Sequence, residues 1–337
     1  MLPAEALEAL ACRALTRDET AAIFRRLASG GMDDIQAAAL LAALKTRGET
    51  AEGIRGAAGA MLEAARPFPR PGYRFADCCG TGGDRAGTVN VSTAVAFVAA
   101  AAGLPIAKHG NHAVSSRCGS ADLLQALGAE IEIPPETARR ALDECGVCYL
   151  HAPQYHPAAR RVATVRRALG TRTLFNLLGP LLNPSRPPIR LVGVYAEALV
   201  LPTAQALARL GCEAGLVVHG GGLDEIALHA PTTAARVTAD EVVELTLTPG
   251  EAGVASAPIE ALRGGGPGEN ARWLRDLLAG RGEPAPVDAV AVNAGALLWI
   301  AGRAAGLREG TAQARAILRE GRATARLDSY LEMTRRA

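Results

Sequence analysis

The chain has 337 residues, 49% hydrophobic and 21% charged, with a formal net charge of +2. That length supports a sizeable core, in two domains or in one large domain with a smaller appendage, and the composition is globular rather than disordered. Lys and Arg are spread along the chain, so nothing demands a nucleic acid or an acidic membrane as partner.

The first residues, MLPAEALEALACRAL, carry acidic side chains and no basic stretch ahead of an apolar one, and do not read as a signal peptide. The longest apolar run, Val91 to Ala107, is alanine-dominated and interrupted by Ser92, Thr93, Gly103 and Pro105, which is too weak to span a bilayer. A cytoplasmic protein is expected. Seven cysteines, an odd count, favour reduced thiols. Cys145 and Cys148 have CxxC spacing, but Cys78 and Cys79 are adjacent and poorly placed to complete a zinc site, so the cysteines read as small hydrophobes in or beside strands.

Residues up to about Arg66 read as consecutive short helices. Thr16-Arg17-Asp18-Glu19 is a capping box opening a helix that stops near Gly30-Gly31. Asp33 or Asp34 caps the next, with an expected apolar face through Ile35, Ala38, Leu41 and Leu44. Thr50 starts another, and prolines 67, 69 and 71 mark a domain boundary. Beyond it the texture becomes strand, glycine turn, helix. Strands are expected at Tyr73–Cys79, Pro105–Lys108, Glu130–Ile133, Arg190–Tyr195, Gly215–His219 and Glu241–Thr246. Helices are expected after Gly87, over Ser120–Leu127 and over Pro135–Cys145. This alternation implies an α/β fold: a small N-terminal helical domain, and a large domain whose mainly parallel sheet is flanked by helices. Small-molecule sites then belong in loops at the carboxyl ends of strands.

Four segments carry chemistry. In Asp77–Thr93, a glycine-rich loop leaves a strand and exposes backbone amides, with Gly80, Gly82, Gly83 and Gly87 offering no side chain to block an anion. Ser92 or Thr93 is expected to cap the following helix, gathering amides and hydroxyls at its positive end. Arg85 stands where a dinucleotide fingerprint needs glycine, and no Gly-Lys-Ser/Thr follows, so the loop belongs to neither of those phosphate motifs. In Lys108–Ser120, Lys108 is one of only two lysines among 36 basic residues. A compact ammonium kept at a strand end suits a phosphate bound as a point charge. In His219–Glu225, three glycines precede adjacent carboxylates, Asp224 and Glu225, that converge from a loop and suit Mg²⁺ held jointly with a diphosphate. In His156–Pro184, arginines 160, 161, 166, 167 and 172 cannot all share one helix face, and Arg166 or Arg167 is free to turn inward toward a carboxylate substrate.

Together, GTGGD with TxNxST, KHGN…SS…GSAD, HPA…VRR.LG.RT.FNLLGPL.NP and HG.GLDE resemble the anthranilate phosphoribosyltransferase family along essentially the whole chain, including Gly268-Glu269-Asn270 and Asn293-Ala294. Single motifs overlap with pyrimidine nucleoside phosphorylases of the same fold. The resemblance implies a helical domain over residues 1–70, with 157–187 returning to pack on it, an α/β domain over 71–337 that binds phosphoribosyl pyrophosphate, and a homodimer in the tryptophan pathway. It implies that Gly80, Gly83, Asp84, Thr88, Asn90, Val91, Ser92, Thr93, Lys108, His109, Gly110, Ser116 and Ser120 hold phosphoribosyl pyrophosphate, with 108–116 closing over it. Ser92, Asp224 and Glu225 would serve two Mg²⁺ ions per subunit. Gly80, Asn111 and Arg166 would contact anthranilate, with His109 and His156 lining its path, and Lys108, Arg166 and Asn111 would be catalytic. His112 stands where the family commonly has Arg, and Ala159 where a larger residue is usual. The rival readings are a nucleic-acid-binding paralogue without activity and a nucleoside phosphorylase. Net charge and the intact Asp224-Glu225 pair oppose the first; that pair and Arg166 oppose the second.

Overall fold

A computed structural model of the chain describes residues 1–113 and 117–336. Four helices open it, α1 (Pro3–Cys12), α2 (Arg17–Ser29), α3 (Asp34–Arg47) and α4 (Ala51–Glu63). Thr16 closes its capping box with Glu19, whose side chain accepts from the Thr16 amide at 2.9 Å, and α2 ends on Gly30 at φ +80°. Asp33 caps α3, accepting from the Gln36 amide at 2.8 Å, and the Thr50 hydroxyl accepts from the Gly53 amide at 3.1 Å at the start of α4. The expected apolar face of α3 needs correction. Its buried stripe is Ala37, Leu40, Leu41 and Leu44, while Ile35 is 81% exposed. The i, i+3, i+4, i+7 spacing stays on one face, whereas steps of three alone drift around the helix.

The sheet region follows: β1 (Ala76–Gly80), α5 (Val91–Ala101), β2 (Ile106–Gly110), α6 (Ser120–Ala126), α7 (Pro135–Cys145) and β3 (Val147–His151). A run of short helices, α8 (Ala152–Tyr155), α9 (Pro157–Arg160), α10 (Ala163–Leu169) and α11 (Leu174–Leu178), leads to β4 (Ile189–Gly193), α12 (Val200–Arg209), β5 (Ala214–Gly220), β6 (Thr232–Val237) and β7 (Val242–Leu247). Five further helices close the chain: α13 (Pro249–Ala252), α14 (Pro267–Leu278), α15 (Pro284–Ile300), α16 (Leu307–Arg319) and α17 (Thr324–Arg335).

The strands form one sheet in the order β3-β2-β1-β4-β5-β6-β7, parallel from β3 to β5 and antiparallel for β6 and β7. The mainly parallel α/β architecture is therefore the one expected, with local differences. Glu130–Ile133 is not a strand: Ile131 and Ile133 are buried from an irregular stretch that pairs with nothing in the sheet. β3 escaped notice because all five of its residues are buried, so it shows no alternation. β6 escaped because Thr-Thr-Ala-Ala-Arg-Val is a weak strand sequence that becomes one by pairing with both neighbours.

Strand alternation divides the buried side chains between two cores. Leu191, Leu216, Val218 and Ala234 point to a core built with α5–α7 and α14–α17. Val192, Val217, Ala235 and Val237 point to a second core that includes α1–α4, the 158–182 segment and α12. Among the described residues no helix is long and apolar enough to cross a membrane.

Candidate active site

The strand order runs outward in both directions from the β1–β4 pair, and a crevice opens where it does so, at the carboxyl ends of those strands. The two strand ends are the paired glycines Gly80 and Gly193. Neither has room for a side chain. A Cβ on Gly80 would lie 2.1 Å from Asp224 Oδ2, and one on Gly193 would lie 1.6 Å from the Asp224 carbonyl oxygen. The missing side chains let Asp224, on the loop after β5, sink into the crevice, where it is 8% exposed. Its Oδ2 accepts from the Gly82 amide at 2.6 Å, so carboxylate loop and glycine loop are stitched together. Gly193→Ala is expected to cost about 3 kcal/mol of stability, because backbone rather than a flexible side chain stands in the way. A urea midpoint equal to that of the parent would refute this.

The glycine loop is held in an uncommon shape. Gly82, Gly83 and Gly87 all have positive φ, and so does the non-glycine Arg85, at 63°. It is pinned from outside by the turn that follows Leu262. The Gly264 amide donates to the Gly87 carbonyl at 2.8 Å, and the Val89 amide donates to the Leu262 carbonyl at 2.9 Å. Asn270 Nδ2 donates to Asn90 Oδ1 at 2.9 Å, while Asn90 Nδ2 donates to the Cys118 carbonyl at 3.0 Å. Thr88 bridges to Arg263. Asn90 precedes α5 but its side chain does not cap it. The expected cap by Ser92 or Thr93 is likewise corrected, because both lie inside the first turn, after Val91. The family-like asparagines at 90 and 270 tie loops together instead of ending a helix.

Lys108 is 3% exposed, and its ammonium donates to the Cys78 carbonyl at 2.7 Å and the Ser92 hydroxyl at 3.2 Å. Burial works to lower its pKa, but the neighbouring Cys78 and Cys79, then Asp77 and Glu225, outweigh burial and leave it above its ordinary value. The lysine thus stays charged at the foot of the crevice. The two loop carboxyls behave oppositely. Burial, then the neighbouring charge of Asp84, pushes Asp224 up to about 7. Burial, then Asp224, pushes Glu225 up to about 8, against the opposing pull of Lys108. Asp84, Asp224 and Glu225 cluster beside one buried ammonium, and a hard cation would supply the counter-charge that lets the two raised carboxyls ionise. Among the described residues no three His, Cys, Asp or Glu side chains form a metal cage by themselves. Any such ion would need oxygens from a ligand.

A second group lies on the other side of β2. The Asp77 carboxylate, fully buried and pushed up by burial, accepts from Asn183 Nδ2 at 2.8 Å and from the His109 amide at 3.3 Å. His109 Nδ1 meets the Gly179 carbonyl at 3.0 Å, and His156 Nε2 meets the Leu182 carbonyl at 2.7 Å. The two rings stand edge to face, 5.3 Å apart. Burial drives the pKa of His109 well below its ordinary value and that of His156 to about 4, so both rings are neutral polar walls at pH 7. His109 Nε2 and His156 Nδ1 have no protein partner among the described residues. Arg166 stacks on Phe175 at 5.4 Å, and its guanidinium has no hydrogen bond or ion pair among the described residues. Burial alone lowers its pKa, a sign of a guanidinium lacking its anion.

The remaining expected residues are less gathered. Gly110 packs against the Ser120 hydroxyl, which meets the Tyr149 hydroxyl at 3.0 Å and donates to the Asn111 carbonyl at 3.3 Å. The exposed Asn111 spends its side-chain oxygen on the His112 amide at 2.8 Å, and no hydrogen bond joins it to Arg166 among the described residues. Ser116 lies outside the described residues. Thr93 keeps a buried hydroxyl without a partner among the described residues. Sequence reasoning missed Arg172, which stacks on Tyr195 at 4.4 Å and donates to the Gly83 carbonyl, fastening the 157–187 segment to the glycine loop. It also missed Asn293 as a clamp: its side chain takes the Ile226 amide at 3.0 Å and returns a bond to the Ile226 carbonyl at 3.1 Å, just past Glu225. A signal existed for both, because each sits in a segment that carried the family likeness.

Comparison with known proteins agrees along the whole chain. Residues 8–65 match the helical bundle domain of a glycosyl transferase family, and residues 72–324 match that family's a/b domain. An anthranilate phosphoribosyltransferase of Sorangium cellulosum is 62% identical over 321 residues, covering 95% of this chain and 92% of that protein. The crystal structure of anthranilate phosphoribosyltransferase from Thermus thermophilus superposes with a TM-score of 0.92 at 45% identity, covering 98% of this chain and 99% of the other. The Saccharomyces cerevisiae enzyme in complex with PRPP and Mg gives 0.91 at 27% identity, covering 99% and 98%. With its fold and its sequence in agreement, the chain belongs to the anthranilate phosphoribosyltransferase family.

Proposed function

We propose that this enzyme transfers the 5-phosphoribosyl group from phosphoribosyl pyrophosphate to the amine of anthranilate, giving N-(5-phosphoribosyl)anthranilate and pyrophosphate. The observation that carries the reading is one crevice in which a positive-φ glycine loop and a buried ammonium face two carboxyls raised to about 7 and 8. Buried carboxyls that are costly to ionise without a counter-charge fit Mg²⁺, with two ions per subunit, held by Ser92, Asp224 and Glu225. When bound, the ions neutralise the diphosphate and ease its departure.

The chain's own residues do the rest. Gly80 and Gly83, with Asp84, Thr88, Asn90, Val91, Ser92 and Thr93, form the cradle for the diphosphate and ribose. Lys108 sits where leaving-group charge grows, and its burial strengthens that interaction. His109, Gly110, Ser116 and Ser120 complete the donor's enclosure. Arg166 takes the anthranilate carboxylate, with Gly80, Asn111, His109 and His156 around the ring. An aniline-type amine is neutral at pH 7, so no strong general base is needed. The proton it loses after the C–N bond forms leaves to solvent or product pyrophosphate. Positioning supplies much of the rate. Residues 1–70, joined by 157–187, form the helical domain and 71–337 the catalytic domain. The working form is a cytoplasmic homodimer, for which the highly exposed Ile35 is an apolar side chain a second copy would cover.

The test follows anthranilate fluorescence after addition of phosphoribosyl pyrophosphate and Mg²⁺. Loss of signal that EDTA abolishes is expected. Folded protein that leaves the signal unchanged would overturn the reading, and steeply salt-dependent DNA binding would then favour the nucleic-acid-binding alternative.

A further inference from the structure

A cavity of about 550 Å³ contains none of the site residues above. It lies between the end of α13, the turn joining α14 to α15, and one face of α16. Its volume falls within the range of about 300–1,000 Å³ usual for small-molecule sites. Three arginines of α16, Arg308, Arg315 and Arg319, line it. They are spaced seven and then four residues apart, which puts them on one helix face. Among the described residues the only acidic one in the lining is Asp288, so the cavity carries two positive charges in excess (three minus one).

Two of these guanidiniums are already held in place by the protein. Arg308 Nη2 donates to the Gly250 carbonyl at 2.5 Å. Arg315 donates to Asp288 at 2.6 Å and to the Gly253 carbonyl at 3.2 Å. The Arg319 guanidinium has no hydrogen bond or ion pair among the described residues. Arginines on a solvated helix face would not need carbonyl anchors from a separate element, and orienting them in advance lowers the entropic cost of capturing an anion. Below them the wall is apolar, formed by Leu277, Val287 and Leu318.

The cavity is also wired to the crevice. α15 supplies Asp288 to it and, five residues on, supplies Asn293, the clamp on Ile226 beside Glu225. α15 and α16 touch backbone to backbone: a Cβ on Gly295 would lie 2.3 Å from the Thr311 amide. With no side chains between them to absorb movement, a displacement of α16 is passed to α15.

We propose that this cavity is a regulatory site for a small organic anion, a carboxylate or phosphate head on an apolar body, whose binding shifts α15 and with it the Asp224-Glu225 loop. The regulatory half rests on the function proposed above; the binding half does not.

The probe is phenyl phosphate, titrated calorimetrically into the full chain with Mg²⁺, pyrophosphate and anthranilate saturating, so that the crevice is filled. One binding event per chain is expected. Arg308→Glu/Arg319→Glu, with a thermal midpoint matching the parent, should weaken it at least about tenfold, and inorganic phosphate should bind about tenfold more weakly than phenyl phosphate. No binding, or unchanged affinity in the double variant, overturns the site. Equal affinity for inorganic phosphate overturns the apolar body. For regulation, phenyl phosphate should change the initial rate at limiting Mg²⁺ by at least about twofold in the parent and not in the double variant. Binding without that change overturns the regulatory half alone, and an absence of turnover in every sample points to failure of the functional reading instead.

Discussion

Glu225→Gln is expected to lower turnover at saturating substrates by about a hundredfold to a thousandfold, with no loss of folded stability when metal is absent. Glutamine keeps the shape and a carbonyl oxygen but removes the charge that would bind the cation, so the deficit should shrink only slightly as Mg²⁺ is raised. The stability half follows from linkage. In the metal-free protein Asp224 and Glu225 hold their protons up to about 7 and 8, whereas the unfolded chain releases them near 4. The native state therefore binds more protons than the unfolded state between about pH 4 and pH 8, and stability falls as pH rises through that window. A carboxyl moved from near 4 to about 7 costs on the order of 4 kcal/mol once it is ionised in both states. The thermal midpoint of metal-free enzyme should thus drop between pH 6 and pH 9, recover with Mg²⁺ and pyrophosphate, and fall less steeply in Asp224→Asn and Glu225→Gln. A metal-free midpoint that rises over the same interval would show that these carboxyls are not strained by burial.

Much of this was legible in the sequence, for identifiable reasons. Helix caps are local chemistry, so Thr16, Asp33 and Thr50 announced their helices without knowledge of the fold. The strand–glycine–helix rhythm gave the sheet its class, because parallel strands need crossovers. What stayed hidden depends on partners distant in the chain. β3 could not be told from a buried helix segment by periodicity, and β6 is a strand only because β5 and β7 flank it. The residues expected to touch substrates were suggested by ligand-type side chains on loops. The residues that hold them, Asn183, Asn270 and Asn293, stand in segments that carried the family likeness, but their role stayed hidden, since an amide declares its role only when its partner, 67 residues away for Asn293, is in place. Lys108 is the opposite case. Its rarity in an arginine-rich chain was a signal in composition alone, and its burial against Ser92 supplies the reason an ammonium rather than a guanidinium is retained there.

Arg166→Ala is expected to raise the Michaelis constant for anthranilate by about thirtyfold to a thousandfold, with kcat at saturation changed far less. The argument turns on what Arg166 lacks. It stacks on Phe175 and has no anionic partner among the described residues, so its only visible support is the ring beneath it. Burial holding its pKa below the ordinary value means the charge is kept at a cost in the substrate-free protein. A carboxylate arriving there converts that cost into a charge-assisted pair, and the binding lost on truncation includes stranding the ligand's own charge in the crevice. The stability prediction therefore runs opposite to the affinity prediction: without anthranilate, Arg166→Ala should melt no lower than the parent. Arg166→Lys should recover part of the affinity, because it restores charge without the two-pronged geometry. A variant that loses several degrees of melting temperature while its Michaelis constant for anthranilate stays within about threefold of the parent's would make Arg166 a packing residue, and the acceptor carboxylate would then need another cation.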